Sequence, residues 1–234
     1  MATANGIEKA DKNKKINEQL VDFIQQNRKF LLAVVLGIVV IFIGLIAGIT
    51  IREVLQTKAI RTVEGLRERY EELRNEINEA SKEEAVQALV DELKTFVSGN
   101  GSYAGAQGYA LLGNIYGDKK SWAEAEDAWT NAARRAAKTY LAPVSLFNAA
   151  AAAEEGGSVE QAIRLYTECI GYPDFSAAPR AQFAIGRLEE SLNNYEAAIT
   201  AYQGVVNNGQ NDQDWVNLAQ SRIIFLTILT QEEE

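Results

Sequence analysis

Tyr109-Ala-Leu-Leu-Gly113-Asn-Ile-Tyr116 is followed nine residues later by Ala125-Glu-Asp-Ala-Trp129-Thr-Asn-Ala132. Apolar and small residues recur in both stretches at intervals of three and four, which predicts two amphipathic helices. The small Gly113 and Ala125 allow two antiparallel helices to approach closely, while Tyr116 and Trp129 fill the space between them. The stretch therefore predicts a helical hairpin.

The same arrangement occurs three times along the chain. Ala125, Ala162 and Ala198 mark the repeat, at spacings of 37 and 36 residues. The second copy contains Leu146, Ala149, Ala150 and Ala153, then Ala162, Tyr166 and Cys169, and the third contains Ile185 and Gly186, then Ala198, Tyr202 and Val205. This sequence closely follows the tetratricopeptide pattern. We therefore expect an all-α protein that ends in a tetratricopeptide α-solenoid of about three hairpins plus a capping helix.

The boundaries of this repeat domain are expected at 81–234. Ser81-Lys-Glu-Glu84 has the capping-box pattern of a helix start, and Gly99-Asn-Gly101 ends that helix. At the other end, a helix from Asp214 to Thr230 is predicted to cover the last repeat, because solenoids need capping elements. Its expected inner face consists of Trp215, Leu218, Ala219, Ile223, Leu226 and Leu229.

A charged helical stalk is expected at 52–80. Its apolar residues follow at intervals of three and four and form a heptad stripe of Val63, Leu66, Tyr70, Leu73, Ile77 and Ala80. The stripe lasts fewer than three heptads, so it fits a coiled coil and a segment folded back on the downstream domain equally well.

Residues 30–51 form a 22-residue run without a charge, bounded by Arg28 and Lys29 before it and Arg52 after it. As a helix this run is about 33 Å long, roughly the thickness of the bilayer hydrocarbon core. A cleaved signal peptide normally has a shorter apolar region and a small-x-small cleavage site, so we interpret the run as an uncleaved transmembrane helix. A lipoprotein signal is excluded because the single cysteine, Cys169, lies far downstream.

The orientation of this span rests on the N-terminal segment. Residues 1–29 are expected to be a polar tail with a short juxtamembrane helix from about Asn17. Basic residues are balanced across the span, so the positive-inside rule does not decide. A short tail before a first span usually stays cytoplasmic, and we expect the N-terminus to be cytoplasmic and the repeat domain to be exported across the membrane.

Small residues lie along one stripe of the apolar run. Ala33, Gly37, Gly44 and Gly48 show the small-x-x-x-small spacing that permits close contact between membrane helices. Since glycine is common in such helices, a specific partner helix and coincidence both explain the stripe. A homodimer through the span or the stalk is one possible outcome.

The composition excludes several functional classes. The chain has no histidine and one cysteine, which removes histidine bases, zinc clusters and Cys-His nucleophiles. Nucleotide-binding and nucleophile-elbow glycine motifs are also absent from the sequence. Residues 53–234 contain 16 basic and 28 acidic side chains, a net charge of −12, which disfavours nucleic acid. We expect no enzyme activity, no catalytic, cofactor or metal site, and no cofactor.

The plan of a short tail, one span, a helical stalk and tetratricopeptide hairpins resembles the YfgM-like family over residues 20–234. Members of that family are ancillary subunits of the bacterial Sec translocon. The resemblance implies a non-enzymatic, single-pass protein of the bacterial inner membrane. Its exported helical domain would bind translocon subunits, chaperones and exported proteins. The alternative with the same fold is a scaffold of an envelope or secretion complex unrelated to Sec.

A peptide groove is expected on the first helices of the hairpins, which line the concave side of such solenoids. The candidate residues are Asn114, Phe147, Glu154, Arg180, Phe183 and Arg187. Phe147 and Phe183 fit the core between repeats equally well. A carboxylate clamp is disfavoured, because Ala110 and Ala184 stand where two of its cations are expected.

Overall fold

The computed structural model describes residues 4–76, 79–208 and 212–232, and within these ranges every regular element is an α-helix. The helices are α1 (Ala4–Arg74), α2 (Glu79–Gly99), α3 (Tyr103–Asp118), α4 (Trp122–Arg135), α5 (Leu141–Glu155), α6 (Val159–Ile170), α7 (Ala178–Ser191), α8 (Tyr195–Asn208) and α9 (Gln213–Glu232). The chain divides into two compact units, Met1–Leu55 and Gln56–Glu234.

The second unit is a stack of helical hairpins. From α2 to α9, each helix packs against the next one in the chain, and the hairpins are α3–α4, α5–α6 and α7–α8. The motif alanines Ala125, Ala162 and Ala198 are fully buried between them. The predicted fold class, an all-α protein with a long apolar N-terminal helix and a helical-repeat solenoid, is confirmed.

The end of α1 contributes to the core of this second unit. Val63, Leu66 and Tyr70 are buried, and the last two belong to a cluster with Leu89 and Leu93 of α2. Arg69 also forms an ion pair with Glu92, at 2.6 Å between Nη1 and Oε2. Of the two arrangements that the heptad stripe allowed, the structure shows the stripe packed against the downstream helices. Ile77 and Ala80 lie outside the residues whose side chains are described.

The ends of several helices differ from the expectations. Helix α1 already includes residues 4–29, where a mostly irregular tail is expected, and it ends at Arg74 rather than continuing to residue 80. Helix α2 begins at Glu79, so Ser81 lies inside the helix and is not its N-cap. Glu79 is a good helix former, and a capping pattern fixes a helix start only to within one or two residues.

The first unit consists of the N-terminal part of α1. A candidate membrane span lies within Leu20–Arg74, and none of its most apolar window is buried. From Phe30 to Ile51, most large apolar side chains expose between two fifths and two thirds of their surface. By length and composition this is a helix that can cross a membrane, although a signal sequence has the same properties.

Candidate functional site

Two of the hairpins, α3–α4 and α7–α8, are closed by an aromatic side chain that occupies a notch on the preceding helix. An added Cβ at Gly113 would lie 2.6 Å from the Trp129 ring, and one at Gly186 would lie 2.6 Å from the Tyr202 ring. These distances are shorter than a carbon–carbon contact allows, so both glycines are required by close packing. The notch and its ring hold the two helices of a hairpin together.

Consecutive hairpins are joined by a repeated group that we call the Glu–Tyr–Arg bridge. In its first copy, the Glu154 carboxylate accepts a hydrogen bond from the Tyr166 hydroxyl at 3.4 Å and forms an ion pair with Arg187 of the next repeat. In its second copy, Glu190 accepts from the Tyr202 hydroxyl at 3.0 Å and pairs with Arg222 of α9.

The two copies are related by the sequence repeat. Glu154 and Tyr166 each lie 36 residues before their counterparts, whereas the two arginines are 35 residues apart. Each bridge links both helices of one hairpin to the first helix of the following repeat. It therefore adds polar contacts between neighbouring repeats.

The bridge changes the acidity of its members. Burial, followed by the neighbouring Glu190, raises the pKa of Tyr202 to about 12. Burial and Glu154 also raise the pKa of Tyr166. The hydrogen bond to Glu190 raises the pKa of the Arg222 guanidinium. Both phenols are thus neutral hydrogen-bond donors at physiological pH.

Four candidate groove residues lie together in the structure. Arg180 places its guanidinium carbon 5.2 Å from the centre of the Phe147 ring. The Phe147 ring meets the Tyr166 ring edge-on at 5.3 Å, and Tyr166 contacts Glu154, which pairs with Arg187. The face therefore combines an exposed cation on an aromatic ring with an ion pair whose members neutralise each other.

The other two candidates lie in the neighbouring repeats. Asn114 is exposed on α3, and its Oδ1 accepts a hydrogen bond from Trp129 Nε1 at 3.3 Å. Phe183 is half-buried between Tyr202 and Trp215, with both ring centres at 5.1 Å. Phe147 and Phe183 thus combine a share of the packing within their hairpins with a partly exposed edge.

The small-residue stripe of the apolar helix is uncovered. An added Cβ at Gly37, Gly44 or Gly48 would meet no atom of the described chain within 4 Å. Ala33 is exposed on the same side. Space for a close helix contact is therefore present on this face.

The structure adds a pocket that our sequence analysis did not propose. A cavity of about 780 Å³ lies where the α4–α5 and α6–α7 connections meet, and Tyr140, Tyr172 and Phe175 are among its lining residues. Tyr140 exposes 74 % of its surface, unusually much for an aromatic residue. The turn sequence Gly171-Tyr-Pro-Asp174 was a signal for this feature, because it places an aromatic side chain in a surface loop.

A second pocket, of about 660 Å³, lies beside the end of α1. The Tyr70 hydroxyl donates to Asp118 Oδ2 at 2.7 Å there, and Arg74 Nε lies 3.4 Å from the same carboxylate oxygen. Burial, followed by the bond to Asp118, raises the pKa of Tyr70. Three of its lining residues, Tyr70, Arg74 and Asp118, thus contact one another, and these contacts form part of the packing of α1 onto α3.

Chemically reactive groups are few in the described part of the chain. Cys169 is fully buried, and burial raises the pKa of its thiol to about 12, so the thiolate that would react is not formed near neutral pH. Within the described ranges, no group of three or more His, Cys, Asp or Glu residues is placed to hold a metal ion.

The packing described above defines a helical-repeat solenoid, whose exposed faces typically bind other proteins. The chain is 35% identical over 153 residues to a protein of Treponema pallidum (strain Nichols) described as a TPR repeat-containing protein. The match includes 63% of the chain and 61% of that relative, so the chain spans less than two thirds of its length. No family model matches the chain. The similarity supports the tetratricopeptide assignment made from the repeats.

Proposed function

We propose that this chain is a non-enzymatic protein-binding scaffold, anchored in the bacterial inner membrane by α1 and presenting its repeats outside the cytoplasm. The observation that carries the proposal is a solenoid on the same chain as a long, uncovered apolar helix. Tetratricopeptide repeats generally mediate protein–protein contacts, and the similarity to a repeat-containing relative agrees with that role.

The exposure of the apolar run supports the anchor. About fifteen large apolar side chains between Phe30 and Ile51 are about half exposed or more. At roughly 1 kcal/mol for each half-exposed side chain, leaving them in water would cost on the order of 15 kcal/mol. That is as large as the whole stability of a typical domain, which supports a lipid environment for this helix.

We further propose that the binding groove is the face of Arg180, Phe147 and the Glu154–Arg187 pair, with Asn114 and Phe183 extending it over the neighbouring repeats. Arg180 is exposed and stacked on an aromatic ring, which offers a cation and an apolar edge to an extended peptide.

The partners that we propose are subunits of the Sec translocon, chaperones and exported proteins, as in the YfgM-like plan. The alternative is a scaffold for another envelope or secretion complex. The Sec role and the alternative scaffold predict different membrane proteins that co-purify with the chain. The stripe of Gly37, Gly44 and Gly48 is the surface that we propose for a membrane partner.

The anchor is tested by two measurements on the whole chain. A reporter that is active only outside the cytoplasm, fused after Glu234, should be active. The chain recovered from membranes should have the mass expected when its N-terminal region is not cleaved off. Activity of a cytoplasm-only reporter would refute the export of the repeats, and a chain shortened near Ile51 would refute the anchor.

The groove is tested by photocrosslinking in cells. A photoreactive amino acid at Arg180 should crosslink to other proteins several-fold more than the same amino acid at Arg164, an exposed arginine on the second helix of its hairpin. Equal yields at both positions would refute the groove. Translocon subunits among the products support the Sec role, whereas their absence alongside other envelope proteins favours the alternative scaffold.

A further inference from the structure

The cavity between the α4–α5 and α6–α7 connections is formed by two consecutive repeats, and we call it the loop pocket. Residues 137–140 of the first connection and residues 171–176 of the second line it. Its volume of about 780 Å³ is within the range of ligand sites in proteins and is sufficient for a short stretch of extended peptide.

Hydrogen bonds and restricted backbone angles shape both connections. In the first, the Thr139 hydroxyl donates to the Ala136 carbonyl at 2.9 Å and accepts from the Leu141 amide at 3.3 Å. In the second, Pro173 has a fixed φ and Asp174 has a φ of +65°, a left-handed conformation that aspartate adopts more readily than most residues. The loop pocket is therefore formed without a ligand.

Three aromatic rings line the loop pocket: Tyr140, Tyr172 and Phe175. Tyr140 exposes 74% of its surface, whereas Tyr172 and Phe175 are half-buried. Burial, followed by a hydrogen bond to Tyr140, raises the pKa of the Tyr103 hydroxyl to about 12, and this bond restrains the Tyr140 ring at the pocket. The faces of such rings are electronegative and attract cations.

Two carboxylates of the loop pocket are free to bind a ligand. Glu168 and Asp174 are exposed, and neither side chain forms an ion pair or a hydrogen bond with any residue in the described ranges. Lys138 also lines the pocket and is likewise unpaired within these ranges. The charged side chains of the lining are thus two carboxylates and one ammonium group, so a cationic ligand is favoured over an anionic one.

We propose that the loop pocket binds an extended segment of a partner protein through an arginine side chain, which stacks on the tyrosine rings and pairs with Glu168 and Asp174. A guanidinium group is planar, so it can stack on an aromatic ring and donate to a carboxylate at the same time. An acidic side chain would meet carboxylates and electronegative ring faces, and an uncharged side chain would gain neither interaction. The proposal rests on the protein-binding role proposed above and not on the groove around Arg180.

The loop pocket adjoins that groove but has the opposite charge. The ring centres of Phe175 and Phe147 are 6.1 Å apart, and Phe147 lies under the guanidinium of Arg180. The groove thus presents a cation, whereas the pocket presents carboxylates. Because the two sites select opposite charges, binding to one can be distinguished from binding to the other.

The charge preference is tested with peptide pools and the purified full-length chain in detergent. Each pool contains labelled peptides with randomised uncharged residues on both sides of one fixed central residue. The immobilised chain should retain a pool with central arginine about fivefold more than a pool with central glutamine. Equal retention of these two pools would overturn the proposal.

The location is tested with two double variants that change the charge equally. Glu168→Gln with Asp174→Asn removes both carboxylates of the pocket, and asparagine tolerates the positive φ at that position. Glu155→Gln with Glu160→Gln makes the same change on exposed residues at the opposite end of the α5–α6 hairpin. Retention of the arginine pool should fall about fivefold in the first double variant and stay unchanged in the second. Tyr140→Leu should also reduce retention, whereas Tyr140→Phe keeps the ring and should preserve most of it.

A pool with central glutamate separates failure of this proposal from failure of the protein-binding role. Arg180 should retain that pool, and Arg180→Ala should release it without loss of the arginine pool. If the glutamate pool binds and the arginine pool does not, the loop pocket is overturned and the protein-binding role is kept, whereas retention of neither pool counts against both. If both double variants lose the arginine pool equally, the preference comes from the overall negative charge of the domain, and the pocket is again overturned. Thermal melting of each variant checks its folding.

Discussion

Replacing Gly186 with alanine tests whether the notch and ring hold a hairpin together. The added Cβ would lie 2.6 Å from Tyr202 Cε1, and this ring is held by Phe183 at 5.1 Å and by the hydroxyl bond to Glu190 at 3.0 Å. Overpacking of this kind costs about 1–3 kcal/mol. Alanine in place of glycine within a helix gains about 1 kcal/mol. The two terms together predict a net loss of between about 0 and 2 kcal/mol.

Gly65→Ala is the matched control. Gly65 also lies within a helix, but an added Cβ there meets no atom within 4 Å. The helix-propensity gain should then appear alone, as a stabilisation of about 0.5–1 kcal/mol. The same chemical change should therefore stabilise the chain at Gly65 and fail to stabilise it at Gly186.

Urea unfolding of the full chain in detergent, followed by tryptophan fluorescence, measures both changes. All three tryptophans lie in the repeats, so the signal reports on the second unit. A Tyr202→Leu background removes the ring, and there Gly186→Ala should become neutral or stabilising. If Gly186→Ala stabilises the chain as much as Gly65→Ala does, the ring does not occupy the notch and the packing argument is refuted.

Three further predictions concern the repeats and use the same unfolding assay. Glu190→Ala should cost about 1 kcal/mol, because Tyr202 and the partly exposed Arg222 lose their shared acceptor, and an unchanged midpoint would contradict the bridge. The raised pKa of Tyr202 means that its stabilising contribution is complete below pH 10 and is lost as the pH rises through about 12. Tyr202→Phe should therefore lose less stability over that pH range than the unsubstituted chain, and equal losses would contradict the assignment. The three motif alanines, Ala125, Ala162 and Ala198, are fully buried, and replacing any one of them by leucine should cost about 1–3 kcal/mol. Unchanged stability for all three variants would show that the repeat register is wrong.

The hairpin core was accessible from the sequence because its determinants are local. A small residue and an aromatic residue at fixed positions of two adjacent helices specify one close contact, and the repetition of Ala125 at Ala162 and Ala198 fixed the register. All three alanines are fully buried in the structure. Helix ends were less accessible, because good helix formers extend a helix beyond a capping pattern, as at Ser81.

The Glu–Tyr–Arg bridge could not be predicted from the sequence in the same way. Spacing placed Glu154 and Arg187 on the first helices of two hairpins, and we assigned both to a groove. The structure shows that they pair with each other across the repeats. That pairing depends on the rotation between hairpins, which is set by side-chain packing and not by the period of the sequence. A carboxylate twelve residues before a tyrosine, present at Glu154 and Glu190, was the available signal.

Helix α9 shows most directly where periodicity stops being informative. Apolar residues at helical spacing predicted a covered inner face that included Leu218, yet Leu218 is half exposed while Ala219 and Leu226 are fully buried. The helix is apolar on two sides, so the spacing identifies two stripes without saying which one meets the preceding repeat. Packing against the preceding repeat decides this, because Ala219 and Leu226 lie in one core cluster with Tyr202, while Phe225 and Ile228 stay half exposed. Helix α9 therefore covers the last repeat with one apolar stripe and exposes the other.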